Sequence, residues 1–343
     1  MAPGRKRGPG AIATGRRIVN SGGTVFPTGW LAHMATHRFT PSTYSNVLGT
    51  VAPALKVASG DRIITTTLDA AGVDGNGDQP ASRPNPMTGP FYVEGAQPGD
   101  ALIVTIERMT PNRKTGWTYS PLSQQVVDPR FVAEMPRSQR YEWAIDAEAG
   151  TVTLIGGSER TANWTFPLQP MLGCFGVAPA GGQAISTATS AANGGNMDYR
   201  RFGPGASIAF PVSVEGGLFF LGDGHAGQGD GEIVGTGIET SFEVEFTLTL
   251  RKNSPGKWPR AETATDFITL ASGRPLDQAL QFATTEMLHW LVEDLGIDQM
   301  EASHLLGQMV RYDVANVFNP AYCVACRVEK KAITKAMSLA GKP

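Results

Sequence analysis

From Gly222 to Glu232, glycine recurs at every second or third position, and between the glycines stand Asp223, His225, Gln228, Asp230 and Glu232. So many glycines exclude a helix, because each costs a helix about 1 kcal/mol relative to Ala. The string Gly222-Asp-Gly224-His-Ala-Gly227 has the G-x-G-x-x-G form, but a dinucleotide-binding turn must open a helix. Gly229, Gly231, Gly235 and Gly237 forbid one. An EF-hand loop fails on Gly227, where an Asp or Asn is needed. A calcium-binding β-helix requires tandem copies of its repeat, and this segment stands alone. The apolar run Leu218-Phe-Phe-Leu221 precedes it, and Ile233 to Thr249 reads as strand. The segment therefore predicts a β-hairpin with its tip at residues 226–229. In that register His225 faces Asp230 and Asp223 faces Glu232, so all four project to one side with Cβ atoms about 5 Å apart across the pair. A slip of one residue would destroy the convergence.

Composition narrows the classes of function. The 343 residues suffice for two or three subdomains with substantial cores. Charged residues make up 17%, below the usual share of about 25%, while glycine and proline are abundant; this points to many short strands and tight turns. A net charge of −2 gives no electrostatic reason to expect nucleic acid or an anionic membrane. No apolar run reaches the length of about 18 residues that a membrane helix needs. Arg5, Lys6, Arg7, Arg16 and Arg17 form a basic N-terminal stretch with no apolar segment behind it, which reads as a solvated tail and not as a secretory signal. Three cysteines argue against a disulfide framework and for a reducing, cytoplasmic setting. Cys323-Val-Ala-Cys326 has metal-type spacing but no second ligand pair, so packing is the favoured reading.

Four regions are expected: a disordered basic tail over 1–23, a β-sandwich over 24–175, a β subdomain with the reactive hairpin over 176–251, and a helical region over 252–343. The class is mainly β, α+β overall. Arg62–Leu68 and Ala101–Ile106 each follow a Gly-Asp pair, where Asp61 and Asp100 serve the turn. Asp69 ends the first of these strands and opens a Gly/Asp-rich loop. Glu94 interrupts the apolar strand 90–95, and a buried acid there needs a partner, so it is assigned to substrate binding. Residues 108–161 read as loops and short strands. Leu276, Ala279, Leu280, Ala283, Met287, Leu288 and Leu291 mark one helix face, and Asp298-Gln-Met-Glu301 reads as the start of a second helix.

The chain resembles the acetamidase/formamidase family in Asn85-Pro-Met-Thr-Gly-Pro-Phe-Tyr-Val-Glu-Gly-Ala-Gln-Pro-Gly-Asp100, Leu172-Gly-Cys-Phe-Gly-Val177, Gly194-Gly-Asn-Met-Asp198, and Leu221 to Ile233 continuing through Ile238-Glu-Thr240. The resemblance covers roughly residues 24 to 330. It implies a β-sandwich with a smaller barrel-like part and C-terminal α/β elements, metal dependence, a homodimer, and hydrolysis of short linear amides to a carboxylate and ammonia. Asn85 stands where many members have His, and His37 matches the family's early His only loosely.

The reading that follows is metal-assisted amide hydrolysis. Asp223 and His225, joined by Asp69 and His37, are expected to hold a divalent ion, zinc or calcium, that acidifies bound water. Glu232, with Asp230 beside it, is the expected acid/base group. Backbone groups at Gly173, Cys174 and Gly176 are expected to meet the substrate. Two alternatives stand beside this: a cysteine amidase using Cys174, which lacks a neighbouring base in sequence, and a non-catalytic calcium- or sugar-binding module.

Overall fold

Alternation decides the core strand. In Phe242–Arg251 the side chains of Phe242, Val244, Phe246 and Leu248 are buried while Glu243, Glu245 and Thr247 lie on the other face. On that outer face Arg108 pairs with Glu243 at 2.7 Å and Arg62 with Glu245 at 3.0 Å. The strand is inserted between Arg62–Thr66 and Ala101–Pro111, antiparallel to both.

The structure is a computed structural model that describes residues 34–254 and 256–339. A nine-stranded sheet runs in the order Thr36–Arg38, Arg62–Thr66, Phe242–Arg251, Ala101–Pro111, Ser207–Pro211, Arg260–Glu262, Asp266–Gly273, Tyr322–Glu329, Arg311–Asn316. A six-stranded sheet runs Ser190–Ala191, Gly194–Asn196, Met171–Val177, Phe219–His225, Thr88–Val93, Leu55–Val57. Ile63, Val104, Val244, Phe246 and Leu270 of the first sheet share one apolar cluster with Phe91, Leu172, Phe175, Phe219 and Leu221 of the second. The two sheets therefore pack face to face as a sandwich. The stretch read as loops and short strands from residue 108 supplies Thr115–Ser120, Gln139–Asp146 and Thr151–Ile155, which with Thr165–Pro167 form a four-stranded antiparallel meander. A two-stranded piece pairs Ala184–Ser186 with Val47–Gly49.

The helices cover the end of the large sheet. Leu276–His289 continues into a wider turn at Trp290–Asp294, and its Ala283 and Met287 pack with Trp290, Leu306, Cys326 and Val328. Gln299–Met309 starts where the capping pattern predicts, with Asp298 Oδ1 accepting from the amides of Met300 and Glu301 at 2.8 and 3.3 Å. A third helix, Lys330–Leu339, is not foreseen by periodicity. No described helix is long and apolar enough to cross a membrane.

The expected boundaries at 175/176 and 251/252 do not separate compact units. The large sheet draws strands from all three expected regions, and residues from Met34 onward cluster together. The expected basic tail over 1–23 lies outside the described residues. Cys323 faces the sandwich core and Cys326 the helices, as a separation of three residues along a strand requires, so the two thiols cannot chelate jointly. The Gly-Asp pairs act in turns as read: Asp61 accepts from the Ala58 amide at 2.9 Å, and Asp100 from the Gln97 amide at 2.8 Å.

Candidate active site

Backbone strain marks the place where the chemistry collects. Six described non-glycine residues have a left-handed φ, and four of them, Asn85 (29°), Asp198 (45°), Asp223 (55°) and Glu232 (47°), meet at one point. Each such residue costs about 1–3 kcal/mol, and residues of this kind gather at functional sites.

The strand Phe219–His225 is fully buried and delivers Asp223 and His225, with Met171–Val177 on one side and Thr88–Val93 on the other. It does not fold back on residues 230–232. The chain leaves through 226–229, makes a single tight turn at Asp230–Glu232, and returns to pair His225 with Glu239. The hairpin register is thus corrected. Gly231 (φ 84°) and Glu232 (φ 47°) turn the chain so that Glu232 is buried and Asp230 exposed, 3.6 Å from Arg200. Gly237 lies against the His225 ring, where no Cβ would fit.

Five buried groups result. Asp198, Asp223 and His225 each offer an atom within 4.8 Å of the others, as do His225, Glu232 and Glu239. His225 Nε2 lies 3.1 Å from Glu239 Oε1 and 3.6 Å from Asp223 Oδ1. Side-chain amides hold the cluster from outside. Gln228 Nε2 donates to the Asp198 carbonyl at 2.6 Å, which turns its Oε1 to accept from His225 Nδ1 at 2.8 Å. That contact assigns the proton to Nδ1 and leaves Nε2 facing the carboxylates. Asn316 Nδ2 donates to Asp198 Oδ2 at 2.8 Å and also to Glu232 Oε2; Asn319 Nδ2 donates to Asp198 Oδ2 at 2.7 Å. Asn85 Nδ2 donates to Asp223 Oδ2 at 3.0 Å. Against this, Asp198 Oδ1, Asp223 Oδ1, His225 Nε2 and Glu239 Oε2 are buried with no hydrogen-bond partner.

Electrostatics sharpen the point. Burial, with Asp223 nearby, pushes the Asp198 carboxyl up to about 7. Burial pushes Glu239 up to about 8, partly offset by His225, and burial and Asp198 hold Glu232 well above the ordinary carboxylate range. Burial opposes a charge on His225, yet Glu239 and Asp223 raise its pKa well above the usual value. Four carboxyls and an imidazole packed in low dielectric must be neutralised by protons or by a cation. The orphaned atoms are one imidazole nitrogen and carboxylate oxygens, a donor set that fits a divalent ion such as zinc. The surrounding amides are the outer partners such a site uses.

Gly173, expected at the substrate, has a different position. A Cβ there would lie 2.5 Å from Asp198 Oδ1 and 2.9 Å from Asp223 Oδ2, so its bare backbone makes room for the two carboxylates. We expect Gly173→Ala to displace them and to lower divalent-ion affinity at least about tenfold with the fold retained, comparable to disturbing a ligand's outer partners; titration calorimetry checks this.

The cleft above the cluster holds about 280 Å³ and is lined by Asn85, Asp223, Glu232 and Glu239 together with Trp117, Tyr119 and Phe318. The structure brings Asp223, His225 and Glu232 together, as the sequence leads one to expect, with Gly173 against them, and keeps Asp69, His37, Asp230, Glu94, Cys174 and Gly176 out of the cluster. Asp69 is buried, but its carboxylate accepts from Arg113 at 2.7 Å, Trp117 Nε1 at 2.9 Å and the amides of Ala71 and Val73. Its lone pairs are taken, and it braces Trp117, whose backbone pairs with Glu239. His37 is occupied by Asp61 at 2.9 Å. Glu94 is exposed in a turn. Gly176 fits against Gly194 inside the sheet, and Cys174 is fully buried with its Sγ donating to the Thr187 carbonyl at 3.5 Å; neither lines the cleft.

Sequence reasoning assigned no role to Asp198, Glu239, Asn85, Asn316 or Asn319. Asp198 closes the Gly-Gly-Asn-Met-Asp run, a usable signal. Glu239 falls on the wrong face by parity unless the chain kinks near Gly235, and Gly235 does turn, at φ 77°.

The sequence pattern of the acetamidase/formamidase family matches residues 51–183 and 180–266. An acetamidase of Mycolicibacterium smegmatis is 30% identical over 216 residues, which are 48% of this chain and 53% of that protein. The chain thus spans about half the length of that relative. A crystal structure of an acetamidase from Yersinia enterocolitica superposes with a TM-score of 0.77 at 30% identity, covering 89% of this chain and 95% of that one. A crystal structure of an acetamidase from Bacillus halodurans gives 0.75 at 28% identity, covering 87% and 99%. Since the pattern matches well over half of the sequence and takes in every carboxylate of the buried cluster, the chain belongs to the acetamidase/formamidase family.

Proposed function

We propose that the protein hydrolyses short linear amides to a carboxylate and ammonia at the Asp198–Asp223–His225 cluster. The observation that carries this is the set of converging buried atoms without partners, Asp198 Oδ1, Asp223 Oδ1 and His225 Nε2, beneath an open cleft. A divalent ion held by these three residues would supply Lewis acidity, acidifying water and polarising the amide carbonyl. Asn316, Asn319, Asn85 and Gln228 fix the orientation of the three side chains before substrate arrives. Glu232 lines the cleft, takes the proton of the attacking water and returns it to the nitrogen. That return matters because an amide nitrogen leaves poorly until it is protonated. Glu239, whose Oε1 lies 3.1 Å from His225 Nε2, lines the cleft beside Glu232 and would be within reach of the same ion.

Ammonia release from formamide, acetamide and propionamide, measured before and after chelation, tests the reading. Activity lost on chelation and restored by a divalent ion supports it; no release from any amide overturns it and returns the β-sandwich to a binding role. Free buried thiols favour a reducing compartment as the setting, and a homodimer, checked by light scattering, belongs to the same proposal.

The cysteine mechanism has weaker support. Burial and the nearby charges of Asp223 and Asp198 push the Cys174 thiol well up, away from the thiolate a nucleophile needs. Cys174→Ser is expected to leave turnover within about threefold, whereas loss of a true nucleophile removes several orders of magnitude; steady-state kinetics decides.

A further inference from the structure

Among the described residues lining the cleft, Arg83 is the one cation, set against Asp223, Glu232 and Glu239. Its guanidinium lies 5.2 Å from the Trp117 ring centre and 5.6 Å from that of Tyr119. No described carboxylate pairs with it, although Arg113 and Arg140 nearby are paired, with Asp69 at 2.7 Å and Glu142 at 2.8 Å. No side-chain hydrogen bond from Arg83 to a described residue accompanies these aromatic contacts, so its N–H groups remain available to a ligand.

The backbone around Arg83 is tied down. Asn46 Nδ2 donates to the Ser82 carbonyl at 2.8 Å and to that of Pro84 at 2.5 Å, and Thr187 Oγ1 donates to the Pro84 carbonyl at 2.9 Å. Two residues on, Asn85 touches Asp223. One short, braced segment therefore carries both a contact to the reactive cluster and a fork of free donors at the cleft. The open cleft of about 280 Å³ leaves room beside the cluster for a longer acyl chain than that of formamide or acetamide.

We propose that Arg83 makes the cleft selective for amides bearing a carboxylate at their far end, the monoamides of short dicarboxylic acids, over neutral amides; this rests on amide hydrolysis being the reaction. The carboxylate takes a bidentate contact from Arg83 while the amide carbon sits at the cluster. Water oxygen bonds to the carbonyl carbon, the C–N bond breaks, and the nitrogen leaves as ammonia with the transferred proton, giving a dicarboxylate. A neutral acyl chain gains nothing from the cation.

The test compares kcat/KM for malonamate and succinamate with that for propionamide and butyramide in the wild type, Arg83→Gln and Arg83→Lys. The wild type is expected to favour the anionic amides at least tenfold, with the preference shrinking as salt is added. Arg83→Gln is expected to cut that ratio at least tenfold through KM, and Arg83→Lys to recover part of it. Unchanged ion content and melting temperature show that the variants are folded. Hydrolysis of neutral amides with no anionic preference, or an unchanged ratio in Arg83→Gln, overturns the role of Arg83 and leaves the amidase reading standing. Failure to cleave any of the four while formamide or acetamide is hydrolysed overturns the role of Arg83 alone; no release from formamide, acetamide or any of the four overturns both.

Discussion

Glu232→Gln is expected to keep its divalent ion and lose about 10²- to 10⁴-fold in kcat. Gln preserves the size of the side chain and an oxygen to accept from Asn316 Nδ2, so the cluster keeps its shape. It cannot take a proton from water and hand it on. Because Asp198, Asp223 and His225 supply the convergent unpartnered atoms, the ion should bind nearly as before. Ion content together with kcat separates the roles. Near-normal turnover would reject Glu232 as the proton carrier, and loss of the ion would make it a ligand.

The companion result is His225→Ala, which should weaken divalent-ion binding by more than about 100-fold, beyond the 10- to 100-fold typical of losing an outer partner, and abolish activity with it. The wild type should melt higher with added ion, by about 2.7 kcal/mol of stability at a hundredfold excess over Kd, and the variant should not respond. Ion content unchanged by the substitution would end this assignment. The metal-free protein carries a pH signature of its own. Asp198 and Glu239 have folded values raised to about 7 and about 8 from 3.8 and 4.5. The folded state therefore holds more protons than the unfolded state between those limits, and stability falls as pH rises through that window. His225, also raised, acts in the same direction. Chelated protein should melt lower at pH 8 than at pH 5.5, and excess ion should narrow the gap.

The order of legibility follows the range of the forces involved. Local signals held in part: the apolar spacing of 276–291 and the Asp298 cap located two helices, whereas of the strand expected over Ile233 to Thr249 only the part from Phe242 forms one. The Gly222–Glu232 segment was recognisable as a candidate site, and Asp223, His225 and Glu232 do fall in one buried cluster, but the partner strand was not legible. Met171–Val177 and Phe219–His225 are buried at every position, so neither strand shows a two-residue period that would reveal which face or neighbour it has. Asp69 and His37 are of ligand type, yet each is consumed by a neighbour that no spacing rule announces, Arg113 and Trp117 for one and Asp61 for the other. Asn316 and Asn319 reach the cluster from the far end of the chain, and no spacing rule announces their partner Asp198 more than a hundred residues upstream.

The position of Phe242–Arg251 between two strands that precede it by well over a hundred residues has a consequence for biosynthesis. Until the ribosome has delivered that stretch, Arg62–Thr66 and Ala101–Pro111 have no partner between them, and both expose unpaired amide edges. The nascent chain must carry these edges through more than a hundred further residues of translation, then insert the missing strand across a long loop, a slow, non-local step. The buried cluster is completed later still, since Asn316 and Asn319 emerge after the sandwich can close. Chaperone demand during synthesis, and poor yield from any version cut short before the last strands, are written into the strand order itself.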